Sequence, residues 1–128
     1  MSRQYRTPLK IAAGLGSARH GVHHFLVQRV TAIALLPLGL WFLWLVLALL
    51  HADHAAAIAL VAQPFNAVLM ALFAIALFWH AQLGLQVVVE DYVHTHGWQL
   101  ALQVTIRFLC FLGAAACVLA VVRIALRG

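Results

Sequence analysis

Residues 79–92 read WHAQLGLQVVVEDY and carry a long apolar run to an abrupt polar end. The run stops at Glu90 and Asp91, which are two of the three acidic residues in the chain. In a helix, His80, Gly84 and Asp91 recur at intervals that place them on one face. That face would hold an imidazole inside a membrane span, then a residue without a side chain, then a carboxylate at the water boundary.

The composition indicates a membrane protein. Of the 128 residues, 66% are hydrophobic and 9% are charged, and the mean hydropathy is +1.01. A soluble domain of this size leaves much of its surface in water and cannot bury so much apolar area. The net charge of +5 lies largely near the N-terminus, without the interleaved aromatic and basic residues of a nucleic-acid binder. The bilayer is therefore the predicted solvent, and no nucleic-acid partner is expected.

Three apolar segments are each long enough to cross the hydrocarbon core, which takes about 20 helical residues. The sequence predicts an all-α membrane protein in which a basic arm, residues 1–21, precedes a three-helix anchor domain, residues 22–128. Glycines in the arm favour irregular or interfacial structure there. The predicted transmembrane helices cover residues 24–50, 64–89 and 98–126.

Lysine and arginine set the predicted orientation, because cytoplasmic segments are enriched in them. The arm and the start of the first span carry five, and the loop after that span carries none. This places the N-terminus in the cytoplasm and the C-terminus in the periplasm, although Arg123 and Arg127 would then lie on the outer side. The first apolar run begins late and is too long for a signal core, so no cleavable signal peptide is expected.

The segment between the first two spans has several distinctive residues. His51, Asp53 and His54 invite a metal-site interpretation, but their spacing is too tight for a usual helical site and a solvated loop is preferred. Residues 55–61 are apolar and rich in alanine, and we expect them at the outer interface. Pro64 suits the first turn of the second span, where its missing N–H costs nothing.

His80 is the polar residue closest to the middle of the bilayer. It lies nine residues before Val89, which is about 13 Å from the cytoplasmic end of the second span. Lipid offers no hydrogen-bond partner, so an imidazole there must be paired. Neutral histidine is a ligand of haem iron, and Gly84 would let a flat macrocycle or another helix approach closely. The alternative is a hydrogen bond from His80 to a neighbouring helix.

Arg29 and His23 lie near the cytoplasmic end of the first span. Arg29 is about 6 Å inside the expected boundary, and His80 is about 13 Å inside. The difference is comparable to the reach from a haem iron to its propionates, and the fixed donor fork of arginine suits a carboxylate. His23 would be a second donor. Alternatively, Arg29 is a snorkelling interfacial charge.

Asp91 and Tyr92 stand at the cytoplasmic boundary of the second span. A phenol there can donate a hydrogen bond to a quinone oxygen while its ring packs on an apolar headgroup. The carboxylate can orient polar partners or supply protons. The same two residues also fit a simpler interpretation, as an interfacial aromatic and a solvated helix-end carboxylate.

Two blocks of sequence resemble a known family. They are GVHxFxxxRxTAI over residues 21–33 and HAxxGxxxVxxDYV over residues 80–93. Together with the spacing of three spans, they resemble the D-type hydrophobic membrane anchor of bacterial succinate dehydrogenase, respiratory complex II. The resemblance covers residues 21–126.

The resemblance implies roles for five residues. His80 would be an axial ligand of haem b, with the second axial ligand supplied by a companion C-type anchor. His23 and Arg29 would lie near the haem propionates. Tyr92 would donate a hydrogen bond to a ubiquinone carbonyl, and Asp91 would support that site. No role follows from the resemblance for Gln28 or for the histidines His20, His51, His54, His94 and His96.

The resemblance also implies partners and a location. The anchor pair would bind an iron–sulfur subunit, which carries the flavoprotein that oxidises succinate, at the bacterial cell inner membrane. The chain alone is not expected to oxidise succinate, because it has no dinucleotide fingerprint and no cysteine set for a cluster. Two alternatives stay open: a haem-free structural anchor or assembly subunit, and the anchor of a fumarate reductase.

Overall fold

The computed structural model describes residues 18–127. These residues form four helices and no strand: α1 (Ala18–Leu50), α2 (His54–Ala62), α3 (Pro64–Tyr92) and α4 (His96–Arg127). Three of them, α1, α3 and α4, are long and apolar enough to cross a membrane. The predicted all-α fold with three membrane spans is therefore confirmed.

The three long helices extend beyond the predicted spans. Residues 18–21, which we expected to be irregular or interfacial, are helical and belong to α1, while residues 1–17 of the predicted arm lie outside the described residues. α3 continues to Tyr92, where the N–H of Val93 donates to the carbonyl of Val89 at 2.9 Å. A helix satisfies its own backbone groups in the interface as well as in hydrocarbon, so it need not end where the apolar run ends.

A short helix and a proline form the outer connection. The carboxylate of Asp53 accepts from the N–H of Ala56 at 2.7 Å and so caps α2, the segment that we expected only to lie at the interface. Pro64 begins α3 directly after Gln63, as predicted for a residue without an N–H. The buried amide of Asn66 then donates to the carbonyl of Leu60 at 2.9 Å and to Oε1 of Gln63 at 3.2 Å. These bonds fix the joint between α2 and α3.

α3 is the helix that packs against both other spans. Phe42 of α1 stacks on Phe73 of α3, with ring centroids 4.6 Å apart. Gly113 of α4 lies so close to Phe78 of α3 that a β-carbon would come within 2.5 Å of the ring. Leu45 is the only described side chain with no exposed surface. Most of the apolar surface of the three spans therefore faces outward, toward lipid or other chains.

Candidate functional site

The site lies where α1 crosses α3, and its centre is a polar pair. Oγ1 of Thr31 on α1 lies 3.1 Å from Nδ1 of His80 on α3. Thr31 is 8% exposed and, with Asn66, is one of two buried polar residues among those described. The contact satisfies the requirement that an imidazole in the apolar span be paired.

A groove opens beside this pair, between α1 and α3. Phe25, Gln28, Arg29, Ala32 and His80 line it, and its volume is about 350 Å³. The structure thus brings together His80 and Arg29, the two residues whose depths along their helices predicted a common site. The groove lies within the size range of small-molecule and cofactor sites, about 300–1,000 Å³.

Arg29 is held at this groove by an aromatic ring. Its guanidinium carbon lies 5.0 Å from the ring centroid of Phe25, one turn earlier on α1. This distance is typical of a cation–π contact. The contact keeps the planar donor fork of Arg29 beside the groove, where it suits the carboxylate of a bound group.

Gly84 leaves open space one turn beyond His80. A β-carbon built on Gly84 would meet no neighbouring atom within 4 Å among the described residues, in contrast to Gly113. No described side chain or helix packs closely against Gly84. The space is therefore available to a group or a helix from outside the chain.

His23 and His24 lie one turn or more before Arg29 on α1, and their side chains have different surroundings. His23 is exposed and does not line the groove, so its predicted role at the propionates stays a prediction. His24 is partly buried, and its Nε2 is buried without a hydrogen-bond partner among the described residues. Sequence reasoning missed both His24 and Thr31, although their seven-residue spacing puts them on one face of α1.

Asp91 and Tyr92 lie apart from the groove, and the structure does not bring them together with His80 and Arg29. They are the last two residues of α3, and both are exposed, Tyr92 by 80%. Tyr92 lies about 18 Å along the helix axis from His80. The preceding acidic residue has a different role: Oε1 of Glu90 accepts from Nε2 of Gln86 at 3.1 Å and from Nε2 of Gln103 at 3.4 Å, which joins α3 to α4.

Comparisons with known proteins cover most of the chain. Residues 3–122 match the family described as succinate dehydrogenase/fumarate reductase transmembrane subunit. The succinate dehydrogenase hydrophobic membrane anchor subunit of Rickettsia bellii (strain RML369-C) is 34% identical over 121 residues, 94% of this chain and 97% of that protein. The subunit of the same name from Paracoccus denitrificans is 35% identical over 89 residues, 70% of this chain and 69% of that protein. No solved structure gives a significant match.

Proposed function

The chain belongs to the succinate dehydrogenase/fumarate reductase transmembrane subunit family as a membrane anchor subunit of succinate dehydrogenase, and we propose that it binds haem b and forms part of a ubiquinone site. The observation that carries this proposal is the groove between α1 and α3, which His80 and Arg29 line together. His80 would hold the haem iron, and Arg29 would bind a propionate.

The residues of the groove fit a haem in three respects. An imidazole stands in an apolar span and an arginine fork lies beside it in the groove, and open space lies at Gly84, one turn along α3 from the imidazole. A bound haem b would supply one-electron transfer at this depth of the membrane. The chain's own contribution is to orient the ligand, bind the propionate and exclude water from the span.

The proposed haem site needs a companion anchor, because this chain offers only one of the two axial ligands of the iron. The other histidines in the described residues lie near the ends of helices or between them, far from the depth of His80. We infer that a second, C-type anchor supplies the other axial ligand. The outward-facing apolar surface of the spans suits a helix–helix interface of that kind.

The quinone site would lie at the cytoplasmic end of α3. Tyr92 would donate its phenolic hydrogen to a ubiquinone carbonyl, and Asp91 would orient polar partners or provide protons. Electrons would arrive from an iron–sulfur subunit that is reduced by the flavoprotein. This arrangement requires the N-terminal side to face the cytoplasm of a bacterial inner membrane, in agreement with the distribution of lysine and arginine.

The haem proposal is tested by the spectrum of the purified complex. We expect His80→Ala to remove the reduced low-spin b-haem signal, whereas His54→Ala, at an exposed histidine that begins α2, should leave it unchanged. A His80→Ala complex with full signal and normal ligation would exclude His80 from the site. A wild-type complex without haem would favour the haem-free structural anchor.

The quinone proposal is tested separately with Tyr92→Phe. Losing one hydrogen bond, about 0.5–1.5 kcal/mol, should lower kcat/KM for ubiquinone up to about tenfold. Succinate oxidation with a soluble electron acceptor should be unaffected, and Trp98→Phe, at another exposed aromatic residue, serves as the control. Unaltered quinone kinetics in Tyr92→Phe would rule out the phenol. The relative rates with succinate and fumarate would decide the direction of turnover.

A further inference from the structure

The hydroxyl oxygen of Thr31 has three polar neighbours, one of them on a different helix. Its Oγ1 lies 2.9 Å from the carbonyl oxygen of Val27, 2.9 Å from that of Gln28 and 3.1 Å from Nδ1 of His80. The first two belong to its own helix, and the third joins α1 to α3. The hydroxyl is thus the direct polar neighbour of the imidazole.

The Thr31 hydroxyl has one proton for three neighbouring atoms that can accept it. A hydroxyl has one proton to donate, and a carbonyl oxygen can only accept. Threonine within a helix commonly donates to a carbonyl three or four residues earlier, as Thr31 does. When the proton goes to a carbonyl of its own helix, the Thr31 oxygen is left to accept, and Nδ1 of His80 would donate to it. In that tautomer the other ring nitrogen, Nε2, has a free lone pair.

We propose that Thr31 is a positioning residue that fixes the tautomer and ring orientation of His80, so that Nε2 is the ligand presented to haem iron. The inference rests on the proposed function, since it concerns the ligand of that haem. Histidine ligands usually donate their second ring N–H to an oxygen, which raises the basicity of the ligating nitrogen. Thr31 supplies that oxygen from inside the same chain.

The hydrogen bond has a consequence for the iron. A more basic imidazole stabilises the ferric form over the ferrous form and lowers the midpoint potential. Loss of such a partner costs about 10- to 100-fold in metal affinity. If the preference for ferric iron falls about tenfold, the one-electron potential rises by about 59 mV.

The test compares three variants in the purified complex. Thr31→Val keeps the branched shape and removes the hydroxyl, Thr31→Ser keeps the hydroxyl and removes the methyl group, and Thr31→Ala removes both. We expect valine and alanine to lower haem affinity at least tenfold and raise the midpoint potential by about 59 mV. Serine should remain close to wild type in both. Low-spin EPR g values should change in the same two variants, because they report ligand orientation.

The outcomes separate this inference from the proposed function. If the wild-type complex contains no b-type haem, or if His80→Ala retains its ligation, both are overturned. If His80→Ala loses the haem but Thr31→Val and Thr31→Ala keep the wild-type affinity and potential, the role of Thr31 alone is overturned. A serine variant as impaired as valine would also overturn it, since packing and not the hydroxyl would then be the cause.

Discussion

Gly113 offers a direct test of how α3 and α4 pack. A β-carbon at this position would lie 2.5 Å from Cε1 and 2.8 Å from Cζ of Phe78. Carbon atoms pack at about 3.5–4.0 Å, so Gly113→Ala must displace the ring or separate the helices by about 1 Å. Overpacking of this kind costs about 1–3 kcal/mol.

Two effects of Gly113→Ala oppose each other. Alanine is favoured over glycine inside a helix by about 1 kcal/mol, so the net loss should be about 0–2 kcal/mol. Gly39→Ala in α1 is the matched control, because a β-carbon there meets nothing within 4 Å. Both variants gain helix propensity, and only Gly113→Ala is overpacked. The difference between their free energies of unfolding should therefore be about 1–3 kcal/mol.

The free energies can be measured on the full chain in mixed micelles, by titration with SDS followed by tryptophan fluorescence. Gly113→Ala should unfold at a lower mole fraction of SDS than Gly39→Ala. Phe78→Leu combined with Gly113→Ala should recover part of the loss, because residues in contact are energetically coupled. Equal stabilities of the two alanine variants, with no coupling to Phe78, would refute this packing of α3 on α4.

Asn66→Ala should lower the free energy of unfolding by about 1–3 kcal/mol, because the carbonyl of Leu60 loses its 2.9 Å hydrogen bond. An unchanged value in the same titration would show that Asn66 does not hold the joint between α2 and α3. Gly84→Leu should raise that free energy by up to about 1 kcal/mol, because leucine is favoured over glycine inside a helix and a β-carbon there meets no neighbour. It should also reduce the haem content of the complex, since leucine would fill the space one turn from His80. Normal haem content would show that no bound group uses this space. Arg29→Lys keeps the charge and loses the donor fork, so haem affinity should fall by roughly tenfold in a haem titration. Equal affinities would contradict a contact between Arg29 and a propionate.

Hydropathy predicted the three spans and two of their ends, Leu50 and Pro64, but not the last residues of α3. The bilayer selects about 20 apolar residues per crossing, so segments such as 64–89 are evident from composition. Helix ends outside the hydrocarbon depend on local hydrogen bonds that composition does not encode. The end of α3 at Tyr92, where the N–H of Val93 donates to the carbonyl of Val89, is such a case. For α2, Asp53 was a usable signal, since aspartate is a preferred N-cap residue.

Part of the candidate site could likewise be predicted from the sequence, and part could not. The depths of His80 and Arg29 follow from a rise of about 1.5 Å per residue, and this was enough to predict that the two share a groove. The contact between Thr31 and His80 joins residues 49 positions apart, and it depends on how α1 and α3 cross. The residue pattern of neither helix predicts that crossing. Thr31 therefore had no predicted role, although it lies in the block of residues 21–33 that carries the family resemblance.

α1 and α4 both contact α3 through aromatic packing and a hydrogen bond, and they differ in the open groove that lies beside the α1–α3 contact. Between α3 and α4, Phe78 packs on Gly113 and Glu90 accepts from Gln103. Lipid is as apolar as the side chains, so close packing and hydrogen bonds, and not the hydrophobic effect, hold such helices together. At the level of His80, α1 is tied to α3 by the bond to Thr31, beside a groove that is open. A group bound in that groove stabilises the α1–α3 pair by about 2.7 kcal/mol at a concentration 100 times its Kd. The contact between α3 and α4 gains nothing from such binding, so haem should protect α1 from separation while leaving the effect of Gly113→Ala unchanged.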